Sequence, residues 1–449
     1  MTAPARTAAY HAVRAVSSGR ADLPSALHAS RAHLTDERDR SLAAEIVAGT
    51  FRWQRSLDHL IEHFSRRRVS KLDPEVLAIL RLSLYQLLHL TRVPASAVVD
   101  DAVDLTRAAR KPSASGFVNA VLRATLRQRH KLPLPGRPAD PGDRDAAVAY
   151  LGITHSHPEW LVARWLDRYG FENAERWVQF NNDTPSLTLR VNRLRATRTE
   201  AIVALEHDDV DAEPTRFAPD GLVVTRGNPL RRPPDGLVHV QDEASQLVPA
   251  VVAASPGERI LDLCASPGGK TLAMAADMND VGRIVASDVR PRRLALLQET
   301  IKIAATRCVS VVRVPQVGPL PFVATFDAVL VDAPCSGLGT VRRDPDIRWR
   351  RQEQDLAALA RDQLALLMRA ADVVRPGGRL VYATCSSEPE ENDGVVANFV
   401  ADRPGFRIVN LHSDARGVIA PFIDAQGFFR TTPPAHGLEA FFAALLIRS

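Results

Sequence analysis

The chain has 449 residues, which is long for a single domain, so we expect two or three. Its composition, 45% hydrophobic and 24% charged residues, is ordinary for a globular protein, and no apolar run approaches the roughly 20 residues that span a bilayer. The segment MTAPARTAAYHAVRAV also lacks the continuous apolar core of a signal peptide, so we predict a cytoplasmic protein without a membrane partner.

Positive charge is concentrated in the N-terminal third. Residues 1–140 hold 22 Lys and Arg against 13 Asp and Glu, a net charge of +9, whereas the remainder holds 35 against 39, or −4. A basic region on a near-neutral body favours a polyanionic partner, most simply nucleic acid. Charge alone supports a merely solubilising basic surface equally well.

Residues 1 to about 130 show helical periodicity throughout. In DRSLAAEIVAGTFRWQRSLDHLIEHF apolar side chains recur three or four residues apart, and LDPEVLAILRLSLYQLLHL repeats the pattern. SAVVDDAVDLTRAA and SGFVNAVLRATLRQ predict two more helices. The proline- and glycine-rich stretch KLPLPGRPADPGDRD predicts a linker, which places an all-α domain at residues 1–135.

The rest of the chain predicts two further domains. Residues 151–240 mix helical stretches with the strand-like SLTLRVN, which indicates a small α+β module. Residues 241–449 alternate strands with helices, and the strands are continuous apolar runs such as FDAVLVDAP, as expected when helices cover both faces of a sheet. We therefore predict a doubly wound, Rossmann-like α/β domain, whose ligands bind at the carboxyl ends of its strands.

The first motif at such a strand end is LDLCASPGGKT, residues 261–271. Its glycine turn lets the backbone approach a nucleotide-like ligand in front of a helix N-terminus. A P-loop would need glycine where Cys264 stands, which argues against a nucleotide triphosphatase. The next strand ends in Asp288, which is placed to accept both ribose hydroxyls of a bound nucleoside, or simply to cap the following turn.

Two cysteines end two later strands, Cys335 in VDAPCSG and Cys385 in YATCSS. No two of the four cysteines form a CxxC pair or a zinc-ligand spacing, so we expect free thiols and no metal site. A single cysteine at a strand end is usually a small core residue. Consecutive strands of a doubly wound sheet often lie side by side, roughly 4.8 Å apart, so both thiols would face one ligand. We interpret Cys264 and Cys308 as structural.

Two thiols beside a nucleoside cofactor suit methylation of a pyrimidine. Carbon 5 is a poor nucleophile until a thiolate adds to carbon 6, after which it can accept a methyl group from S-adenosylmethionine. A second group can assist removal of the carbon 5 proton and release of the thiol. A carboxylate such as Asp332 could hold the base by its N3/N4 edge.

CASPGGK, DAPCSG and ATCSS, in this order, resemble the RNA cytosine-5 methyltransferases of the Sun/NOL1/NOP2 type. AAEIVAGTFRW, ILRLSLYQLL and GFVNAVLR look like a NusB-type RNA-binding domain, and the combination is similar to the bacterial RsmB (Sun/Fmu) family. HPEWLV and LTLRVN resemble the intervening module of that family, and HGLEAFFAALL its closing strand. The resemblance implies methylation of 16S ribosomal RNA, and we expect the protein to be a monomer.

The resemblance also implies roles for individual residues. It makes Cys385 the nucleophile and assigns product release to Cys335. Together with Asp332 these cysteines form the predicted catalytic group. The implied S-adenosylmethionine site is formed by Cys264, Ala265, Ser266, Pro267, Gly268, Gly269, Lys270, Asp288 and Asp332.

Two features depart from the family pattern. The aspartate that commonly follows the third strand, on the adenine side of the cofactor, is replaced by the acid-free VRVPQVGPL, and Glu439-Ala440 stands where Asp-Gly is common. The missing acid keeps one alternative open, an RNA-binding assembly factor with a degenerate methyltransferase domain. A cytosine-5 methyltransferase that acts on transfer RNA is a further alternative.

The segment after Cys385 predicts a device that activates its thiol. Ser386 and Ser387 can cap a helix that begins at Pro389, and a helix N-terminus lowers the pKa of a nearby cysteine. Glu388, Glu390 and Glu391 would oppose this effect only if they pointed inward, and acids in a first helical turn usually face solvent.

Overall fold

A computed structural model describes residues 2–231, 236–413 and 417–449. The helices are α1 (Pro4–Ser17), α2 (Leu23–Ala32), α3 (Glu37–Arg52), α4 (Gln54–Ser65), α5 (Pro74–His89), α6 (Ala95–Ala108), α7 (Ser115–Arg127), α8 (Arg144–Ala149), α9 (Glu159–Asn182), α10 (Arg198–His207), α11 (Glu243–Leu247), α12 (Pro249–Val252), α13 (Gly269–Asp277), α14 (Pro291–Ala304), α15 (Ile347–Arg350), α16 (Asp355–Ala371), α17 (Asp393–Asp402) and α18 (Pro433–His436).

The strands are β1 (Thr188–Val191), β2 (Asp211–Pro214), β3 (Gly221–Arg226), β4 (Val238–Val240), β5 (Arg259–Asp262), β6 (Arg283–Asp288), β7 (Val309–Arg313), β8 (Phe326–Asp332), β9 (Val374–Thr384), β10 (Phe406–Ile408), β11 (Phe429–Thr431) and β12 (Phe441–Arg448). Within the ranges described, no helix combines the length and apolarity needed to cross a membrane.

The chain divides into two compact units, and the first is discontinuous in sequence. It comprises Met1–Thr184 together with Val341–Glu353. Helices α1 to α7 enclose one apolar core, to which Leu57, Ile79 and Leu122 contribute fully buried side chains. Gly170, with a φ of 72°, interrupts α9, which accounts for the two separate helical patterns in the sequence there.

The second unit comprises Pro185–Thr340 and Gln354–Ser449 and contains two sheets. The smaller sheet is antiparallel, in the order β2-β3-β1-β4. The larger has the order β10-β12-β9-β8-β5-β6-β7, with β11 paired to β12. In it β5 to β9 run parallel, whereas β12 is antiparallel to β9 and β10 is antiparallel to β12.

Both faces of the larger sheet are buried, which explains its uninterrupted apolar strands. Along β8, Ala328 and Leu330 join one apolar cluster, and Val329 and Val331 join the cluster on the opposite face. The chain runs from β5 through β6 to β7 at one edge, then continues on the other side of β5 with β8 and β9. The reversal leaves a crevice at the carboxyl ends of β5 and β8, where doubly wound sheets bind their ligands. The predicted fold classes are confirmed.

Candidate active site

The turn after β5 is held by hydrogen bonds to neighbouring elements. Ala265 N donates to Ser287 O (2.9 Å), and Ser266 Oγ donates to Arg293 O (2.9 Å). Gly268 directly precedes α13 and has a φ of 110°, in the left-handed region that disfavours side chains. A Cβ there would also lie only 3.0 Å from Leu297 Cδ1. Glycine therefore permits both the turn and its close approach to α14.

Asp262, at the end of β5, is a buried carboxyl group beneath this turn. Its Oδ2 accepts a hydrogen bond from Thr271 Oγ1 (2.6 Å). Its Oδ1 has no hydrogen-bond partner in the part of the chain that the structure describes. Burial, opposed only in part by Thr271, raises the pKa of Asp262 to about 7.

A cavity of about 220 Å³ lies between the turn and β4. Its walls include Gln241, Ser266, Gly269, Lys270 and Asp332. A Cβ at Gly269 would meet the Gln241 side chain at 3.1 Å, so the glycine keeps this space open. Of the predicted cofactor residues, Ala265 and Pro267 also line the cavity, whereas Cys264, Gly268 and Asp288 are not part of the lining.

Lys270 and Asp332 form an ion pair across the crevice, with Lys270 Nζ 2.7 Å from Asp332 Oδ2. Burial alone would lower the pKa of Lys270, but the negative charge and hydrogen bond of Asp332 raise it above its ordinary value. Lys270 therefore stays positively charged. The pair links the glycine turn after β5 to the end of β8.

Asp288 ends β6 and is buried. Its Oδ1 accepts from Arg290 N (3.0 Å), and its Oδ2 lies 3.3 Å from Arg293 Nε. The capping contact expected of Asp288 is therefore present. The hydroxyls of a bound ribose would donate to the same carboxylate that accepts from Arg290 N.

Cys335 and Cys385 lie together at the ends of the neighbouring parallel strands β8 and β9, with their Sγ atoms 3.2 Å apart. The strand register pairs Asp332 with Ala383, so the two chains leave the sheet side by side. Both thiols are partly exposed. Its hydrogen bond with Cys385, burial and nearby negative charge raise the pKa of Cys335 well above its ordinary value. Such a pair can offer a ligand one thiolate and one neutral thiol.

The other two cysteines have different surroundings. Burial raises the pKa of the Cys264 thiol far above its ordinary value. Cys308 is buried at the start of β7, where burial and a hydrogen bond to Asp280 raise its pKa to about 12. Over the described ranges, no group of three or more His, Cys, Asp or Glu is placed to hold a metal ion.

The prediction of a capped helix directly after Cys385 is wrong. Pro389–Glu391 form one 3₁₀ turn, and α17 begins only at Asp393. Ser386 Oγ donates to Glu391 Oε2 (2.5 Å), and Ser387 Oγ donates to Glu388 Oε1 (2.9 Å). No α-helix begins beside Cys385, so this source of thiolate stabilisation is absent.

The prediction that the acids after Cys385 face solvent is also wrong for Glu388 and Glu391, which are both fully buried. Nothing in the acid-rich run EPEEN distinguishes an inward-pointing glutamate from a solvent-facing one. The available signal is indirect: Ser336 and Ser386, which follow the two cysteines, are donors that a buried carboxylate can use.

Comparison with known families gives matches along most of the chain. Residues 3–127 match the NusB family, and residues 157–231 match the RsmF/B-like ferredoxin-like domain. Residues 249–447 match the family described as 16S rRNA methyltransferase RsmB/F.

Individual proteins are similar over nearly their whole length. The ribosomal RNA small subunit methyltransferase B of Pseudomonas putida is 36% identical over 91% of this chain and 92% of its own. A Bacillus subtilis protein described as a probable ribosomal RNA small subunit methyltransferase B is 33% identical over 90% of both chains. The solved structure of PH0851 superposes with a TM-score of 0.81 at 26% identity, covering 99% of each chain.

Proposed function

Because the chain belongs to the ribosomal RNA small subunit methyltransferase B family, we propose that it methylates carbon 5 of a cytosine in 16S ribosomal RNA through a covalent cysteine adduct. The observation that carries the proposal is the pair of thiols 3.2 Å apart at the carboxyl edge of the sheet. S-adenosylmethionine, when bound, supplies the methyl group.

The crevice beside the thiols fits a cofactor with an amino-acid end and a nucleoside end. The turn 264–270 offers backbone groups at a glycine that leaves room for a ligand. Buried Asp262 presents a carboxyl oxygen that no described protein group satisfies, and a buried polar atom of this kind favours a ligand donor. Asp288 would accept from the ribose hydroxyls. Lys270 would hold Asp332 in place at the cavity wall.

The two thiols divide the covalent chemistry between them. The Cys385 thiolate adds to carbon 6 of the cytosine, forming a C–S bond and making carbon 5 nucleophilic. After carbon 5 has gained the methyl group, its proton leaves to a base and the C–S bond breaks, which regenerates the Cys385 thiolate. Cys335, in contact with the same sulfur, assists this release. Asp332 holds the base by its amino edge and stabilises the adduct.

Separate substitution of the two cysteines tests this division of labour. Cys385→Ala should abolish both methylation and adduct formation, because no thiolate remains to attack carbon 6. Cys335→Ala should still permit attack and methyl transfer but stall release. The stalled species is a protein–RNA conjugate, which denaturing electrophoresis of the enzyme with unmodified 16S ribosomal RNA and labelled cofactor detects.

The control for the trapping experiment is the double variant, in which the conjugate must disappear. A conjugate that accumulates with Cys385→Ala instead would give the nucleophile role to Cys335. Absence of 5-methylcytosine in RNA treated with the unmodified protein would contradict the proposed reaction itself.

A further inference from the structure

A buried carboxylate connects the two cysteine-bearing loops. Glu391 is fully buried, and its Oε1 accepts from Ser336 N (2.7 Å), the residue after Cys335. Its Oε2 accepts from Ser386 Oγ (2.5 Å), the residue after Cys385. One carboxylate thus holds both loops at the position directly following each thiol.

Other buried groups orient this carboxylate. Gln363 on α16 donates through Nε2 both to Glu391 Oε1 (2.8 Å) and to Pro334 O (3.0 Å), which precedes Cys335. Tyr382 on β9 donates to the Glu391 carbonyl (2.6 Å) and lies 3.1 Å from Gln363 Oε1. A buried carboxylate is costly unless several donors satisfy it, and these contacts do so.

We propose that Glu391 is a positioning residue that fixes the separation of the Cys335 and Cys385 sulfurs by bridging their loops. The inference rests on the two-thiol reaction proposed above. Reacting groups that stand about 1 Å from their productive positions can cost an enzyme roughly 100-fold in rate. A link that keeps the two sulfurs in place is therefore expected to affect the reaction rate.

A second contact joins the two cysteine-bearing loops. The neighbouring Ser336 and Ser386 hydroxyls lie 3.1 Å apart, which adds a direct contact between the two loops.

Disulfide formation between the two cysteines measures their separation without any methylation. With glutathione disulfide as the oxidant, one protein disulfide forms and two glutathione thiols are released. Glu391→Ala should slow formation of the Cys335–Cys385 disulfide by about tenfold or more, because such reactions depend steeply on the distance between the reacting groups. Mass spectrometry of the disulfide-linked peptides, well below the unfolding temperature, measures the rate. Glu391→Gln keeps the shape, can accept from Ser336 N through its amide oxygen and can donate to Ser386 Oγ through its amide nitrogen, so it should restore the rate to near that of the unmodified protein.

Glu390→Ala is the matched control, because it makes the same change at the adjacent position. It should leave cross-linking and methylation unchanged. In methylation assays Glu391→Ala should lower kcat by roughly 100-fold while the KM for RNA stays within about threefold, because only the reacting groups are displaced.

Cross-linking of Glu391→Ala at the unmodified rate, even with reduced thermal stability, would overturn the proposal and leave Glu391 a structural residue. If this variant does not fold, Ser386→Ala removes one arm of the bridge, and an unchanged cross-linking rate in that variant has the same consequence. Because cross-linking is independent of methylation, a failure of the proposed reaction leaves this measurement intact.

Discussion

At the scale of single residues, Asp262 is protonated more readily than an exposed aspartate because its carboxyl group is buried. Its pKa rises from 3.8 to about 7 on folding. The folded protein therefore binds this proton more tightly than the unfolded chain does. The stabilising contribution is complete below about pH 3.8 and is lost as the pH rises through 7.

Asp262→Asn should remove this pH dependence from the second unit. Between pH 4 and 7 the unmodified protein should lose stability by up to about 1.4 kcal/mol per pH unit from this group, and the variant should not. Hydrogen exchange of peptides from β5 and β8, followed across this range, measures the difference. Asp402→Asn, at an exposed position, is the control. If Asp262→Asn and Asp402→Asn show the same pH dependence of stability, a group other than Asp262 takes up the proton.

At the scale of elements, the larger sheet could be predicted because local sequence determines it. Continuous apolar strands such as β8 are recognisable as buried strands, and consecutive strands with parallel directions place Cys335 beside Cys385. The 3₁₀ turn at Pro389 could not be predicted, because a proline followed by acidic residues is equally typical of the first turn of an α-helix. The burial of Glu391 depends on hydrogen-bond donors that lie 55 and 28 residues away along the chain, at Ser336 and Gln363.

The connection between α4 and α5 carries the most compact group of positive charges in the basic region. Arg66, Arg67 and Arg68 follow the end of α4 and are exposed. Arg66 adopts a φ of 57°, and the guanidinium of Arg67 lies 5.2 Å from the centre of the Phe117 ring. We predict that these side chains contact phosphates of an RNA strand.

Replacing all three arginines by alanine should weaken RNA binding and flatten its dependence on salt. For every arginine–phosphate interaction that the substitutions remove, the slope of log K against log salt should fall by roughly 0.7–0.9. Fluorescence anisotropy with the full-length protein, at several potassium chloride concentrations, measures this slope. The three arginine-to-lysine substitutions keep the charge and serve as the control. An unchanged slope in the alanine variant would exclude this connection from the RNA-binding surface.

At the scale of the whole molecule, a late segment completes the first unit. Arg348 is fully buried, and its guanidinium donates to Ser156 O (2.9 Å), Asn181 O (3.2 Å) and Asn182 Oδ1 (3.0 Å). Trp349 Nε1 donates to Phe51 O (2.6 Å). The basic composition of RRDPDIRWRR offers no indication of a buried arginine, because only these distant carbonyl groups make its burial favourable.

Arg348→Ala should destabilise the first unit by about 3 kcal/mol or more, because it leaves several buried acceptors without donors. All five tryptophans, at positions 53, 160, 165, 177 and 349, belong to this unit, so tryptophan fluorescence during urea unfolding reports on it alone. Arg92→Ala, at an exposed position of the same unit, should change the midpoint little. A shift no larger than that of the control would show that the acceptors find other partners.

The position of Val341–Glu353 in the sequence affects how the first unit folds during translation. The polypeptide up to Thr184 emerges first, but the 156 residues of 185–340 must be translated before the completing segment exists. At about 5–20 residues per second this takes roughly 8–30 s, during which the nascent helices lack Arg348 and Trp349. During that interval the first unit lacks the segment 341–353, so part of its core is accessible to chaperones. A gene truncated after codon 184 would encode the first unit without this segment.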